Sequence, residues 1–172
     1  MDTTTLLSIQ NLSISFLSEG KENQVLKDLS FDIHKNEILG VVGESGSGKS
    51  VTSLAILGLL PNKISKITEG SIAYKDISLI GLEEKKYRAI RGNEIAMIFQ
   101  EPMSSLNPSM KCGLQVSEIL FRHTTLSKTE AKKEVFSLFK KVQLADPGRV
   151  YKSYPHQLSG GQKQRVMIAM AI

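Results

Sequence analysis

The chain is poor in the residues that mark several large functional classes. Cys112 is the single cysteine in 172 residues, which excludes an internal disulfide and any zinc site built from several cysteines. Its expected state is a small buried or incidental thiol. No run approaches the roughly 18 to 20 continuous apolar residues of a membrane-spanning helix; the longest apolar-rich segment, residues 54–60, is far too short. The start, Met1-Asp2-Thr3-Thr4-Thr5, lacks the basic opening and apolar middle of a secretory signal. A cytoplasmic location follows as the expectation, with any membrane role arising through a partner. There is no tryptophan, no internal repeat and no low-complexity tract. Otherwise the composition, 41% hydrophobic and 23% charged, is that of an ordinary globular chain long enough to bury a core. The net charge of +5 suits phosphates, acidic headgroups or nucleic acid without choosing among them.

What is present is patterned. Leu12, Ile14 and Phe16 alternate with Ser13 and Ser15, the period of a half-buried strand. After a polar turn with Gly20, alternation resumes through Leu29, Phe31 and Ile33, and two antiparallel strands are expected. Residues 37–42, Glu-Ile-Leu-Gly-Val-Val, read as a central parallel strand buried on both faces. A glycine-rich loop follows, then a helix from Lys49 running to Pro61. A further strand is expected at residues 70–74, a short charged helix at 83–90 and an apolar strand at 94–99. Beyond Pro102 the strand signals stop. Ser127 and Glu130 have capping-box spacing, and Val135, Leu138, Phe139 and Val142 fall at i, i+3, i+4 and i+7, one core-facing stripe on a lysine-rich helix.

The first chemical signal is Gly43-Glu44-Ser45-Gly46-Ser47-Gly48-Lys49-Ser50, which fits G-x-x-x-x-G-K-[ST] between an expected strand and an expected helix. Gly43, Ser45, Gly46, Ser47 and Gly48 let the backbone curl so that successive N–H groups face phosphate oxygens, and the helix adds its positive end. Lys49 is placed to reach the β- and γ-phosphates. Ser50 is placed to offer its hydroxyl to Mg²⁺. Nucleotide binding follows from this segment alone.

A second signal, Leu158-Ser159-Gly160-Gly161-Gln162 with the helical run 163–171 behind it, resembles the signature motif of ABC transporter ATP-binding subunits. Ser159, Gly160, Gly161 and Gln162 open a helix whose free N–H groups meet an anion. Residues 97–108, Met-Ile-Phe-Gln-Glu-Pro-Met-Ser-Ser-Leu-Asn-Pro, resemble the Q-loop region of the same family. The resemblance covers essentially the whole chain, and its wording is most similar to importers of dipeptides, oligopeptides and nickel.

The resemblance implies an α/β P-loop NTPase, the ABC cassette, with an N-terminal antiparallel β subdomain and an inserted helical subdomain, incomplete at its C-terminus. The implied division is a nucleotide-binding core at 1–101, the Q-loop and helical subdomain at 102–157, and the signature motif with the start of its helix at 158–172. It further implies ATP and Mg²⁺ as cofactors. Gln100 would contact Mg²⁺ or the attacking water, and Phe16 would stack on adenine. The signature would face the γ-phosphate held by a second cassette. Integral membrane permease subunits would be direct partners and a solute-binding protein an indirect one, with the chain peripheral on the cytoplasmic face of the membrane. His156 is expected to be structural, since nothing beside it makes a triad or a metal set. The family's cassette continues with a strand ending in Asp-Glu, so residues 1–172 alone are expected to hydrolyse ATP negligibly. Two other readings are a soluble ABC ATPase acting on nucleic acid or ribosomes and a non-functional remnant. Against the first, the stretch between the motifs carries neither coiled-coil heptads nor a second cysteine.

Overall fold

The computed structural model describes residues 4–18, 20–99 and 105–172, which form two compact units meeting in sequence at Tyr87 and Arg88. In the first unit, β1 (Thr5–Ser18) and β2 (Lys21–His34) make the expected antiparallel pair. β3 (Ser65–Tyr74) joins the other edge of β1, and the short β4 (Ile77–Ser78) extends the sheet to the order β2-β1-β3-β4. Ile9, Leu12, Ile14 and Ile72 are wholly buried and form its core.

The sheet is bent by offset bulges. Asn11 and Asp28 both take left-handed φ, near 50°, at the register shifts of the β1–β2 ladder. Asn11 Nδ2 donates to Asp28 Oδ1 at 2.7 Å, so the two strained residues hold one another. Gly70, φ +88°, lies on β3 against them; a Cβ there would stand 2.4 Å from the Gln10 carbonyl oxygen. Such bulges consume alternation, and this is why Ser13 and Ser15, expected on the exposed face, are buried. The Ser13 hydroxyl accepts the Asp28 N–H at 3.1 Å, and the Ser13 carbonyl accepts Thr68 Oγ1 at 3.2 Å.

The helix at Lys49 is shorter than Pro61 implies. α1 is Lys49–Ile56, closed by Gly58 at φ +60° with Leu59 N–H donating to Leu54 O and Gly58 N–H to Ala55 O. These are the two bonds of a Schellman motif, and a glycine at its left-handed position stops a helix by itself. Residues 37–42 and 94–99, expected as strands, are assigned to no strand. Ile38 and Val42 are 99% and 94% exposed. Apolar sequence makes a strand only where a neighbour supplies ladder hydrogen bonds, and among the described residues only Arg91 and Ile95 form an isolated bridge there. The charged helix appears as α2, Glu84–Ile90.

The second unit is helical beyond α2: α3 (Cys112–His123), α4 (Lys128–Lys141), α5 (Pro147–Lys152), a 3-10 turn (Pro155–Gln157) and α6 (Gly160–Ala171). α4 begins at the expected capping box: Ser127 Oγ accepts Glu130 N–H, and Glu130 Oε2 accepts Ser127 N–H. Its expected stripe is the core, with Val135 and Phe139 fully buried among Val116, Val150 and Val166. Gln115, nearly buried, braces the chain ahead of α3. Its Oε1 accepts Asn107 N–H, while its Nε2 donates to the carbonyls of Asn107 and Met110. Cys112 is buried, as expected.

Candidate nucleotide-binding site

The phosphate loop owes its shape to two glycines in left-handed conformation, Gly46 at φ +84° and Gly48 at φ +90°. Gly48 caps α1 and is pressed onto β2, where a Cβ would meet Leu26 Cδ1 at 2.9 Å. Gly43 is held as closely, 2.6 Å from Ser47 Oγ to an added Cβ. A side chain at Gly43 would crowd Ser47 and Lys49 within the loop, and one at Gly48 would press on Val25 and Leu26 of β2. Lys49 Nζ lies within that loop, donating to the carbonyl oxygens of Gly43 at 2.6 Å and Glu44 at 2.7 Å and to Ser47 Oγ at 3.2 Å. Ser45 and Ser50 are exposed, the latter in the first turn of α1. An exposed glycine-rich loop with an ammonium inside it and a helix N-terminus behind it fits a polyphosphate. The Ser50 hydroxyl fits a magnesium ion shared with it. Among the described residues no group of three or more His, Cys, Asp or Glu stands ready to hold a metal by itself.

Phe16 is half-buried near the end of β1, paired with Asn23 and Ser65. Ile14, two residues back, pairs with Leu26, the residue that Gly48 touches. Phe16 is therefore about 7 Å along the strand from the level of the loop.

The glycine-rich segment of the second unit opens a helix. Ser159 caps α6 in a full capping box: Gln162 N–H donates to Ser159 Oγ at 3.3 Å, and Ser159 N–H donates to Gln162 Oε1 at 3.1 Å. The N–H groups of Gly160 and Gly161 are left over at the positive end of the helix. Open space surrounds both glycines. His156 is exposed and its ring stacks on Tyr154 at 5.7 Å. Gln100 lies outside the described residues.

Two residues of this region escape a motif search. Arg165 reaches across to the end of α4, Nη1 donating to Val142 O at 2.6 Å. Gln115 fixes the chain at the end of the expected Q-loop region. Neither carries a local spacing signal, because both act on backbone far away in sequence or outside any helix period.

A glycine-rich loop closing on its own lysine at the start of a helix, and a capped, glycine-rich helix start further on, occur in one chain, the pair of features expected of a nucleotide-binding cassette. Residues 26–172 match the family model described as ABC transporter, and the chain belongs to that family. Its fold agrees: the dimeric cassette MJ0796, a bacterial ABC transporter cassette, is 31% identical with a TM-score of 0.83 over 97% of this chain and 69% of that one. The same cassette was also solved in a post-hydrolysis state bound to ADP and Pi, with the same TM-score, identity and coverage. Among curated relatives, the dipeptide transport ATP-binding protein DppD of Bacillus subtilis is 50% identical over 97% of this chain and 50% of its own length. The oligopeptide transport ATP-binding protein OppD of the same organism is 46% identical over 98% of this chain and 47% of its own. The chain thus spans about half the length of the curated relatives it matches. Among the described residues no helix is long and apolar enough to cross a membrane.

Proposed function

We propose that the chain is the ATP-binding part of an ABC importer for peptides, driving uptake across the cytoplasmic membrane by binding and hydrolysing ATP. One observation carries the reading: a phosphate loop with its lysine in place and a signature helix start, open at Gly160 and Gly161, occur in the same chain. The names of its relatives, dipeptide and oligopeptide transport proteins, support peptides ahead of nickel as cargo and support transport over action on nucleic acid or ribosomes.

In this reading ATP supplies the phosphoryl group whose transfer to water releases the driving energy, and Mg²⁺ neutralises its charge. Gly43, Ser45, Gly46, Ser47 and Gly48 would cradle the phosphates, Lys49 would exchange its loop carbonyls for phosphate oxygens, Ser50 would hold the metal, and Phe16 would pack on the base. Gln100 would contact the metal or the water. Ser159, Gly160, Gly161 and Gln162 serve the nucleotide of a second cassette, so each chain holds half of two sites. The chain is peripheral on the cytoplasmic face, bound to integral permease subunits and served indirectly by a solute-binding protein. A groove of about 350 Å³ lined by Asn107, Met110, Glu118, Ile119 and Arg122, with Leu114 and Phe121 exposed on α3, supports the helical unit as the permease contact. The three-part division at 101 and 157 is retained as the functional one.

The family's strand ending in Asp-Glu, which would support the metal and polarise the attacking water, is not among residues 1–172, so this segment alone binds ATP but turns it over negligibly. Steady hydrolysis by the purified 172 residues, abolished by Lys49→Ala, contradicts that. The whole reading is tested by uptake of a labelled dipeptide in cells lacking the native gene. Restoration by the wild-type gene and not by its Lys49→Ala form is the expected result. ATP binding without dipeptide uptake removes the cargo assignment, and no ATP binding removes the function.

A further inference from the structure

A long side chain of the signature helix reaches the end of its neighbour. α4 ends in a Schellman motif built on Gln143, a non-glycine residue at φ +59°. Leu144 N–H donates to Phe139 O and Gln143 N–H to Lys140 O, which satisfies two of the terminal carbonyls and leaves the last ones over. Arg165 bonds the carbonyl of the capping residue and leans on the next, donating from Nη1 to Val142 O at 2.6 Å and Gln143 O at 3.5 Å. A guanidinium here also meets the negative end of the α4 dipole. Both ends of α4 are thereby fixed, by Ser127 and Glu130 at one and by Arg165 at the other. The next residues of α6, Val166 and Met167, are buried in the core that holds Phe139, Val142 and Leu144.

Hydrophobic packing resists separation of two helices but only weakly resists sliding or rolling between them. A charge-assisted hydrogen bond of defined geometry sets both. Arg165 lies five residues, about 7.5 Å, along α6 from Gly160, so the position of the free N–H groups follows the position of this bond.

We infer that Arg165 is a positioning residue for the signature: it locks α6 against the α4 terminus and so places the Gly160 and Gly161 N–H groups for a phosphate. The inference rests on the proposed role of the signature in serving the nucleotide of a second cassette. It is tested in the assembled transporter with Arg165→Met, Arg165→Lys and, as a reading of the signature itself, Gly160→Asp. The measurements are the ATP dissociation constant without Mg²⁺, KM, kcat and melting temperature. Arg165→Met is expected to leave ATP binding and KM within about twofold while kcat falls about tenfold or more, as displaced catalytic donors do. Arg165→Lys recovers part of kcat, since an ammonium still reaches one carbonyl. Unchanged kcat in Arg165→Met, or parallel loss of ATP binding and melting temperature with no recovery in Arg165→Lys, overturns the inference. If Gly160→Asp is inactive while Arg165→Met is normal, positioning by Arg165 alone is wrong. If Gly160→Asp turns over normally, the signature reading fails and takes this inference with it.

Discussion

Gly70→Ala separates backbone strain from crowding, because Gly20 provides the same strain without the crowding. Gly20 has φ +74° with nothing within 4 Å of an added Cβ. Alanine there meets only the left-handed penalty, about 1 kcal/mol. Gly70 has φ +88°, and its added Cβ falls 2.4 Å from Gln10 O and 2.5 Å from Asn11 C and O. Ordinary contact begins at 3.4 Å, so β3 and β1 must part by about 1 Å, and backbone atoms have no rotamer with which to yield. Parting loosens the ladder bonds on either side, where Gln10 pairs with Ser71 and Ser13 with Glu69, at about 1 kcal/mol each. Adding the strain gives about 3 kcal/mol for Gly70→Ala against about 1 for Gly20→Ala. Urea titration followed by circular dichroism gives the free energies, and amide exchange at Ile9 and Ile72 reports the same unit independently. Equal costs for the two variants, within about 0.5 kcal/mol, refute the crowding argument and with it the placement of the bulges.

Gln115→Leu is expected to destabilise the helical unit by about 2 kcal/mol, since three backbone groups at Asn107 and Met110 lose their partner; thermal melting reads it. Glu130 has its carboxyl lowered from 4.5 by the Ser127 hydroxyl and then the Ser127 N–H. Its contribution is therefore present above about pH 4.5 and lost as pH falls through the lowered value, so the protection of the Ala131 amide, taken relative to its intrinsic exchange rate at each pH, is expected to fall below that pH in the wild type and not in Glu130→Gln. Burial pushes the Cys112 thiol up to about 11, so iodoacetamide at pH 8 should leave native protein unlabelled and modify it fully in urea. Rapid native labelling contradicts the packing of α3.

Features legible in the sequence are those written in short spacings. Ser127 with Glu130 and Ser159 with Gln162 announce two helix starts three residues ahead, and the phosphate loop announces itself in eight. The stripe from Val135 to Val142 gave the core face of α4 because a helix repeats its environment every turn. Long-range facts left no such mark. The bulges at Asn11 and Asp28 use residues that occur in any polar turn, so burial of Ser13 and Ser15 was hidden behind perfect alternation. At residues 37–42 composition describes a side chain's preference, whereas a strand depends on a neighbour. Pro61 looked like the end of α1, yet Gly58 had already closed it. The bond from Arg165 to Val142 spans 23 residues, beyond the reach of any periodic pattern.

The lysine inside the phosphate loop changes how its removal should be interpreted. With Nζ tied to Gly43, Glu44 and Ser47, the loop is an arch built around its own keystone. Lys49→Ala takes away a phosphate contact and the keystone together, so lost affinity in that variant mixes chemistry with collapse. Lys49→Arg keeps a cation of a different shape. Comparing the two, with exchange at the Thr52 amide as the gauge of the arch, tells apart a site that has lost its charge from a site that has lost its form.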